Sequence, residues 1–152
     1  MTIAKLSVLA WATIFSGLLS AEEAALPEMT VYRSPTCGCC GKWLEHAEKS
    51  GFKIKDVISS DMDQIKARYG VPEKLASCHT VVVDGYVIEG HVPSADVQKL
   101  LQTKPKVAGL AAPGMPMGSP GMEMGGRQDE YQVLSFDKDG RAEVYAEHGQ
   151  GR

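Results

Sequence analysis

Three of the chain's four cysteines fall within four consecutive positions, Cys37-Gly38-Cys39-Cys40, and what flanks them limits the folds that can hold them. Ahead of them MTVYRS, from Met29 to Ser34, is short and rich in Thr, Val and Tyr, which reads as a strand. Behind them KWLEHAEKSG sets Trp43, Leu44 and Ala47 on one helical face and stops at Gly51, a residue suited to the position just past a helix. The cysteines therefore occupy a strand-to-helix turn. Cys37 and Cys40 form a C-x-x-C, the spacing of a redox dithiol, while Cys39 makes the group dense enough to hold metal.

The segments that follow supply a matching scaffold. FKIKDVIS reads as a second strand. SDMDQIKARYG reads as a helix with Ser60 or Asp61 near its cap, Met62, Ile65 and Tyr69 on one face, and Gly70 at its end. HTVVVDGYVIEG is two strand runs joined by Asp84-Gly85, a strong signal for a tight hairpin. PSADVQKLLQ gives a third helix with Ser94 as its expected cap and Val97, Leu100 and Leu101 toward the core. The order β-α-β-α-β-β-α, with a parallel pair from the first crossover, an antiparallel hairpin and covering helices, predicts an α/β, thioredoxin-like domain. That fold keeps reactive cysteines at its first strand-to-helix turn.

From Lys104 the character changes. KPKVAGLAAPGMPMGSPGMEMGG is dominated by Gly, Pro, Ala and Met, so an extended loop is expected here, with its Met-rich part at 113–124. YQVLSFDKDGRAEVYAEH restores a hairpin pattern over 131–147 with Asp137 to Gly140 as the turn. The hairpin reads as an addition to one domain spanning 28–148. The chain's 152 residues suit one domain with a real core.

The net charge of -3 excludes a nucleic-acid partner, because nothing concentrates the positive field that phosphates require. At the N-terminus Lys5 precedes an uncharged run from Leu6 to Leu19 and then Ser20 and Ala21, the layout of a secretory signal over 1–21. The run falls short of the roughly 20 residues a bilayer span needs, so no membrane anchor is expected after cleavage. Export would place the cysteines in an oxidising compartment, where unprotected thiols pair.

A thiol acts as nucleophile or ligand as the thiolate, and a helix N-terminus lowers its pKa, to about 3.5–7.5 in redox motifs. Cys37, just before the helix, is the thiol expected to ionise first. In SCHTVVV, Cys78 and His79 lead into the third strand, which this fold lays beside the cysteine turn. Four convergent thiolates have four uses. Two structural disulfides would force Cys39 to reach Cys78 in a crowded space. A dithiol oxidoreductase needs Cys37 and Cys40 alone. Tetrahedral zinc favours two separated C-x-x-C pairs. Cu(I) is soft, accepts two or three thiolates and lets one sulfur bridge two ions, so it suits the crowding best.

Four of the seven methionines, Met115, Met117, Met122 and Met124, lie in the loop without helical period. They either pack over apolar surface or supply thioethers to Cu(I) as a lid or delivery arm. His79 and His91, the latter just after the fourth strand, can bind copper, move a proton or serve as structural histidines. His46 and His148 are expected to face solvent.

YRSPTCGCCGKWLEH, GVPEKLASCHTVVVDGYVIEGHVP and PGMPMGSPGME together resemble the CopG-type copper-resistance proteins, exported thioredoxin-like proteins of Gram-negative bacteria. The resemblance runs from about Met29 to about His148. It implies a periplasmic protein of copper resistance whose residues Cys37, Cys39, Cys40 and Cys78 hold a cysteine-bridged cluster of several copper ions. Met115 and Met122 match the family's loop, whereas Met117 and Met124 do not. Copper ions, and other periplasmic copper-handling proteins, are the implied partners. The competing function is a thiol-disulfide oxidoreductase with Cys37 attacking and Cys40 resolving.

Overall fold

Strand alternation and helix faces divide this chain into two packed layers on either side of one sheet. The structure, a computed structural model, describes residues 25–149; the expected signal at 1–21 lies outside them. Its elements are β1 (Met29–Arg33), α1 (Gly38–Lys49), β2 (Ile54–Ile58), α2 (Met62–Arg68), a 3-10 turn at Glu73–Leu75, β3 (His79–Val83), β4 (Tyr86–Gly90), α3 (Ser94–Thr103), β5 (Gly109–Ala112), β6 (Tyr131–Phe136) and β7 (Ala142–His148). They form a mixed α/β fold around one sheet in the order β2-β1-β3-β4-β5-β6-β7. β1 and β2 are parallel across the α1 crossover, and β4 and β5 are parallel across α3. All other neighbours are antiparallel. Among the described residues no helix is long and apolar enough to cross a membrane.

The period of two along the strands sorts side chains onto two faces. Met29, Val31, Val81, Val83, Ile88, Leu110 and Val133 pack on one face beneath Trp43 and Ala47 of α1 and Val97 and Leu100 of α3. On the other, Val87, Ala111 and Phe136 meet Val71 and Leu75, next to α2. The β3–β4 turn places Asp84 at φ 46° and Gly85 at φ 82°, the paired positive values of a tight two-residue hairpin turn.

The stretch after Lys104 departs from the extended loop expected there. Gly109–Ala112 forms β5, buried along its whole length. Small residues are what this position demands: a Cβ on Gly109 would collide with the Val87 carbonyl oxygen, so only glycine lets the two backbones meet. The loop proper begins after β5 and returns as the β6–β7 hairpin.

Of two expected helix caps, one is met and one is not. Asp61 caps α2, accepting from the Gln64 N–H. Ser94, however, is the first residue of α3 and does not cap it; its N–H donates to Nε2 of His46 at 3.1 Å. Pro93 occupies the cap position and has no side-chain acceptor, so an imidazole from α1 satisfies the free amide instead.

Candidate metal centre

The cluster forms where β1 ends and α1 begins. Cys37 is the extended N-cap residue of α1, Cys39 lies in its first turn, and Cys40 is fully buried. Positions three apart on a helix lie on one face. Cys37 and Cys40 accordingly sit with Cα atoms 5.5 Å apart and are joined by a disulfide, a separation within the range a bridge needs. The other two thiols, Cys39 and Cys78, are free. Cys39 Sγ lies 3.6 Å from Cys37 Sγ and 3.9 Å from Cys78 Sγ. All four sulfurs fall within 4.8 Å of one another.

Cys78 arrives from the opposite side, one residue before β3. Burial pushes its thiol up to about 11, against a lowering by Ser77, so it is protonated at neutral pH. Its Sγ is 2.9 Å from Nε2 of His91, which follows β4 directly. The His91 Nδ1 lies 2.7 Å from the Pro120 carbonyl. A carbonyl can only accept, so Nδ1 carries the ring hydrogen and Nε2 presents a lone pair to sulfur. Burial lowers the pKa of His91, opposed by the Pro120 bond. The pair is thus a neutral thiol donating to a neutral imidazole.

His79 is fully buried, and neither ring nitrogen has a hydrogen-bond partner. Its ring lies 4.7 Å from that of Trp43 and 5.1 Å, edge-on, from that of His91. Desolvation holds its pKa well below the ordinary value. An unpaired buried polar group costs about 1–3 kcal/mol. The Trp43 indole, by contrast, donates to the Val92 carbonyl at 2.9 Å.

The Met-rich loop folds over this turn. Met122 N–H donates to the Ser119 carbonyl and Gly118 N–H to that of Met122. Gly121, at φ +85°, sits so close that a Cβ would come 2.9 Å from the Trp43 backbone nitrogen and 3.0 Å from the Cys39 carbonyl oxygen. Met122 is buried whereas Met115 is 56% exposed, so the two family-matched methionines have different surroundings. Ser77 Oγ donates to the Gly114 carbonyl, tying the start of the loop to the Cys78 segment.

On the far face of the sheet lies a network that sequence reasoning missed. Glu89, fully buried, accepts from the Ser77 N–H at 2.6 Å, from the Thr80 hydroxyl at 2.7 Å and from the Lys66 ammonium. Burial pushes the Glu89 carboxyl up, while Lys66, Thr80 and Ser77 oppose it. Its anchor on Ser77 fixes the backbone from which Cys78 projects. A glutamate in the otherwise apolar run YVIEG was the available signal.

Two histidines expected to face solvent do not. His46 is half-buried against Ser94, and His148 lies 2.6 Å from Asp96 Oδ2 with its side chain 28% exposed. The cause is tertiary: α3 packs across both.

Two solved structures of a copper resistance protein CopG, forms 1 and 2, share 49% identity with this chain at a TM-score of 0.77. The first alignment covers 82% of this chain and 99% of the other, the second 81% and 98%. The chain belongs to the CopG copper-resistance family. A family described as a protein of unknown function, DUF411, matches residues 75–122, the CopG stretch from the 3-10 turn to Met122 that carries Cys78, His79, His91 and Pro120. No curated protein matches. Copper resistance in this family and a cysteine cluster in this member are consistent with a metal site, and sulfur crowded within 4.8 Å suits a soft ion.

Proposed function

We propose that this chain is a periplasmic copper-handling protein that holds Cu(I), as its cargo, between Cys37, Cys39, Cys40 and Cys78. The observation that carries the reading is the mutual approach of all four sulfurs to within 4.8 Å. An external dithiol reductant supplies the two electrons and two protons that open the Cys37–Cys40 bridge to two thiols and is itself oxidised to a disulfide, and Cu(I) then displaces thiol protons. Sulfurs this close favour bridging thiolates and more than one ion. His91 and His79, whose ring nitrogens lie within 4.8 Å of Cys78 Sγ, are further donors, and on this reading the loop methionines Met122 and Met115 add thioethers. On this reading residues 1–21 are the export signal, 28–148 form a thioredoxin-like metal-binding domain, and copper passes to other periplasmic copper-handling proteins.

A dithiol oxidoreductase would use Cys37 and Cys40 alone and leave Cys39 and Cys78 idle, although Cys39 lies 3.6 Å from Cys37. The test is copper analysis after reduction and anaerobic Cu(I) loading, for the intact protein and for each cysteine changed to serine. The expected result is at least one tightly bound copper per chain, with losses in Cys39→Ser and Cys78→Ser. Less than one copper, or no loss in those two variants, overturns the reading.

A further inference from the structure

Ser77 is wedged at one end of the sheet, just before β3 begins. Gly90 closes β4 at φ 75°, and a Cβ there would collide with the Ser77 side chain and come 2.8 Å from the Ala112 carbonyl oxygen that ends β5. The glycine leaves the space that Ser77 fills, so the serine is held in one place. Its backbone is gripped from the far face of the sheet. The Ser77 N–H donates to Glu89 Oε1 at 2.6 Å, and that carboxylate, fully buried, is held in turn by the Thr80 hydroxyl and by Lys66, whose side chain is 13% exposed. A hydrogen bond to a charged acceptor is stronger than one between neutral groups, so Ser77 is a fixed point.

From that point a hydroxyl reaches outward with a single hydrogen to give. Two acceptors are near it: the Gly114 carbonyl at the start of the Met-rich loop, and Cys78 Sγ at 3.8 Å. The carbonyl is much the closer and takes the hydrogen. A second tie joins the far part of the loop to the body of the domain, from His91 Nδ1 to the Pro120 carbonyl. The loop is also knitted by its own bonds: Ser119 Oγ to the Pro116 carbonyl at 2.7 Å, Met122 N–H to the Ser119 carbonyl at 2.8 Å and Gly118 N–H to the Met122 carbonyl at 3.0 Å. A segment packed on itself in this way moves as a unit. Cys78 lies between the two ties, next to Ser77 in the chain and with its sulfur against His91.

We infer that Ser77 is a positioning residue that latches the Met-rich loop over the free thiol of Cys78, with the Lys66–Glu89 pair holding the latch in place. The latch sets how often Cys78 is open to a reagent from solution and leaves the chemistry of the thiol itself unchanged. What it means for cargo rests on the Cu(I) reading above, because a latched loop would slow entry and exit of the ion. The latch itself needs no metal.

The test is alkylation of Cys78 by iodoacetamide, resolved from Cys39 by peptide mass, in metal-free mature protein whose Cys37–Cys40 bridge is verified intact. Loss of one hydrogen bond of ordinary net strength changes an opening equilibrium by about 2- to 12-fold. Ser77→Ala should accelerate the reaction by that factor, equally in buffer and in about 1 M urea, because the opening is local. The Gly114 carbonyl carbon resonance should shift with it. A second variant, Lys66→Met with Glu89→Gln, loosens the anchor of the Ser77 amide without touching the hydroxyl and should accelerate alkylation at least about twofold. A serine that served the sulfur directly as a donor would give the opposite sign, slower alkylation in Ser77→Ala. Unchanged or slower alkylation in either variant, an acceleration that grows with urea as global unfolding does, or an unmoved Gly114 carbonyl would overturn the inference. Failure of the unmutated, reduced protein to load Cu(I) would overturn the copper reading and leave the latch standing, so the two can fail separately.

Discussion

Cys78 and His91 meet as a neutral thiol and a neutral imidazole, Sγ to Nε2 at 2.9 Å, because the Pro120 carbonyl claims the only ring hydrogen. The centre is therefore quiet at neutral pH in the absence of metal. Its sensitivity lies on the acid side.

His79 and His91 are both held below the ordinary value of 6.5, chiefly by burial. The unfolded chain binds more protons than the folded one as pH falls through that value, so stability present at neutral pH is lost in acid. Each histidine contributes a slope of up to about 1.4 kcal/mol per pH unit. Thermal unfolding of metal-free protein should show the midpoint dropping between pH 7 and pH 5, with a flatter profile in His79→Phe.

Lys66→Met would leave the Glu89 carboxylate buried without its cation, at a cost of about 3–5 kcal/mol near neutrality. Glu89, already raised by burial, would then bind a proton more readily folded than unfolded. The stability deficit of the variant relative to the unmutated protein should consequently shrink as pH falls toward the ordinary carboxylate range. Pairing the change with Glu89→Gln should recover part of the loss. Urea unfolding at two pH values checks all three expectations.

Gly121→Ala places a methyl group against the Trp43 backbone nitrogen and the Cys39 carbonyl oxygen and forces a left-handed φ on alanine. A destabilisation of about 1–3 kcal/mol is expected. The more specific result is the loss of the hydrogen-bonded His91 Nδ1–H proton signal, because the displaced turn withdraws the Pro120 carbonyl.

His46→Ala removes the acceptor for Ser94 N–H and should cost about 0.5–2 kcal/mol, the range for a lost helix cap. Protonation of Nε2 has the same effect. Burial lowers the pKa of His46, so the contact should hold at neutral pH and fail in acid. Faster hydrogen exchange of the Ser94 amide is the readout.

Local patterning made most of the scaffold readable. The helix faces of Trp43 and Ala47, the alternation through His79–Val83, the Asp84-Gly85 turn and the Tyr131–His148 hairpin all follow from neighbours close in sequence. β5 was hidden because Gly109–Ala112 has no β-branched or aromatic residue; it is a strand through burial on both faces and the fit of glycine against Val87. The approach of Cys78 to the cysteine turn was readable from order, whereas the Cys37–Cys40 bridge depends on which thiols are left apart, and His79 and Pro120 gain their meaning from contacts long in sequence. The same distance concealed Lys66–Glu89, 23 positions apart.

The parallel pairing of β4 with β5 has a consequence for the order of assembly. His91 leaves the sheet at the end of β4, and Pro120 returns only after α3 and β5 have been laid down, 29 residues later. Contacts of that span form after the local ones, since the loop they close must first lose its freedom. A newly made chain thus exposes its thiols before it has a cover, and the Pro120–His91 bond marks the moment at which the loop closes over them.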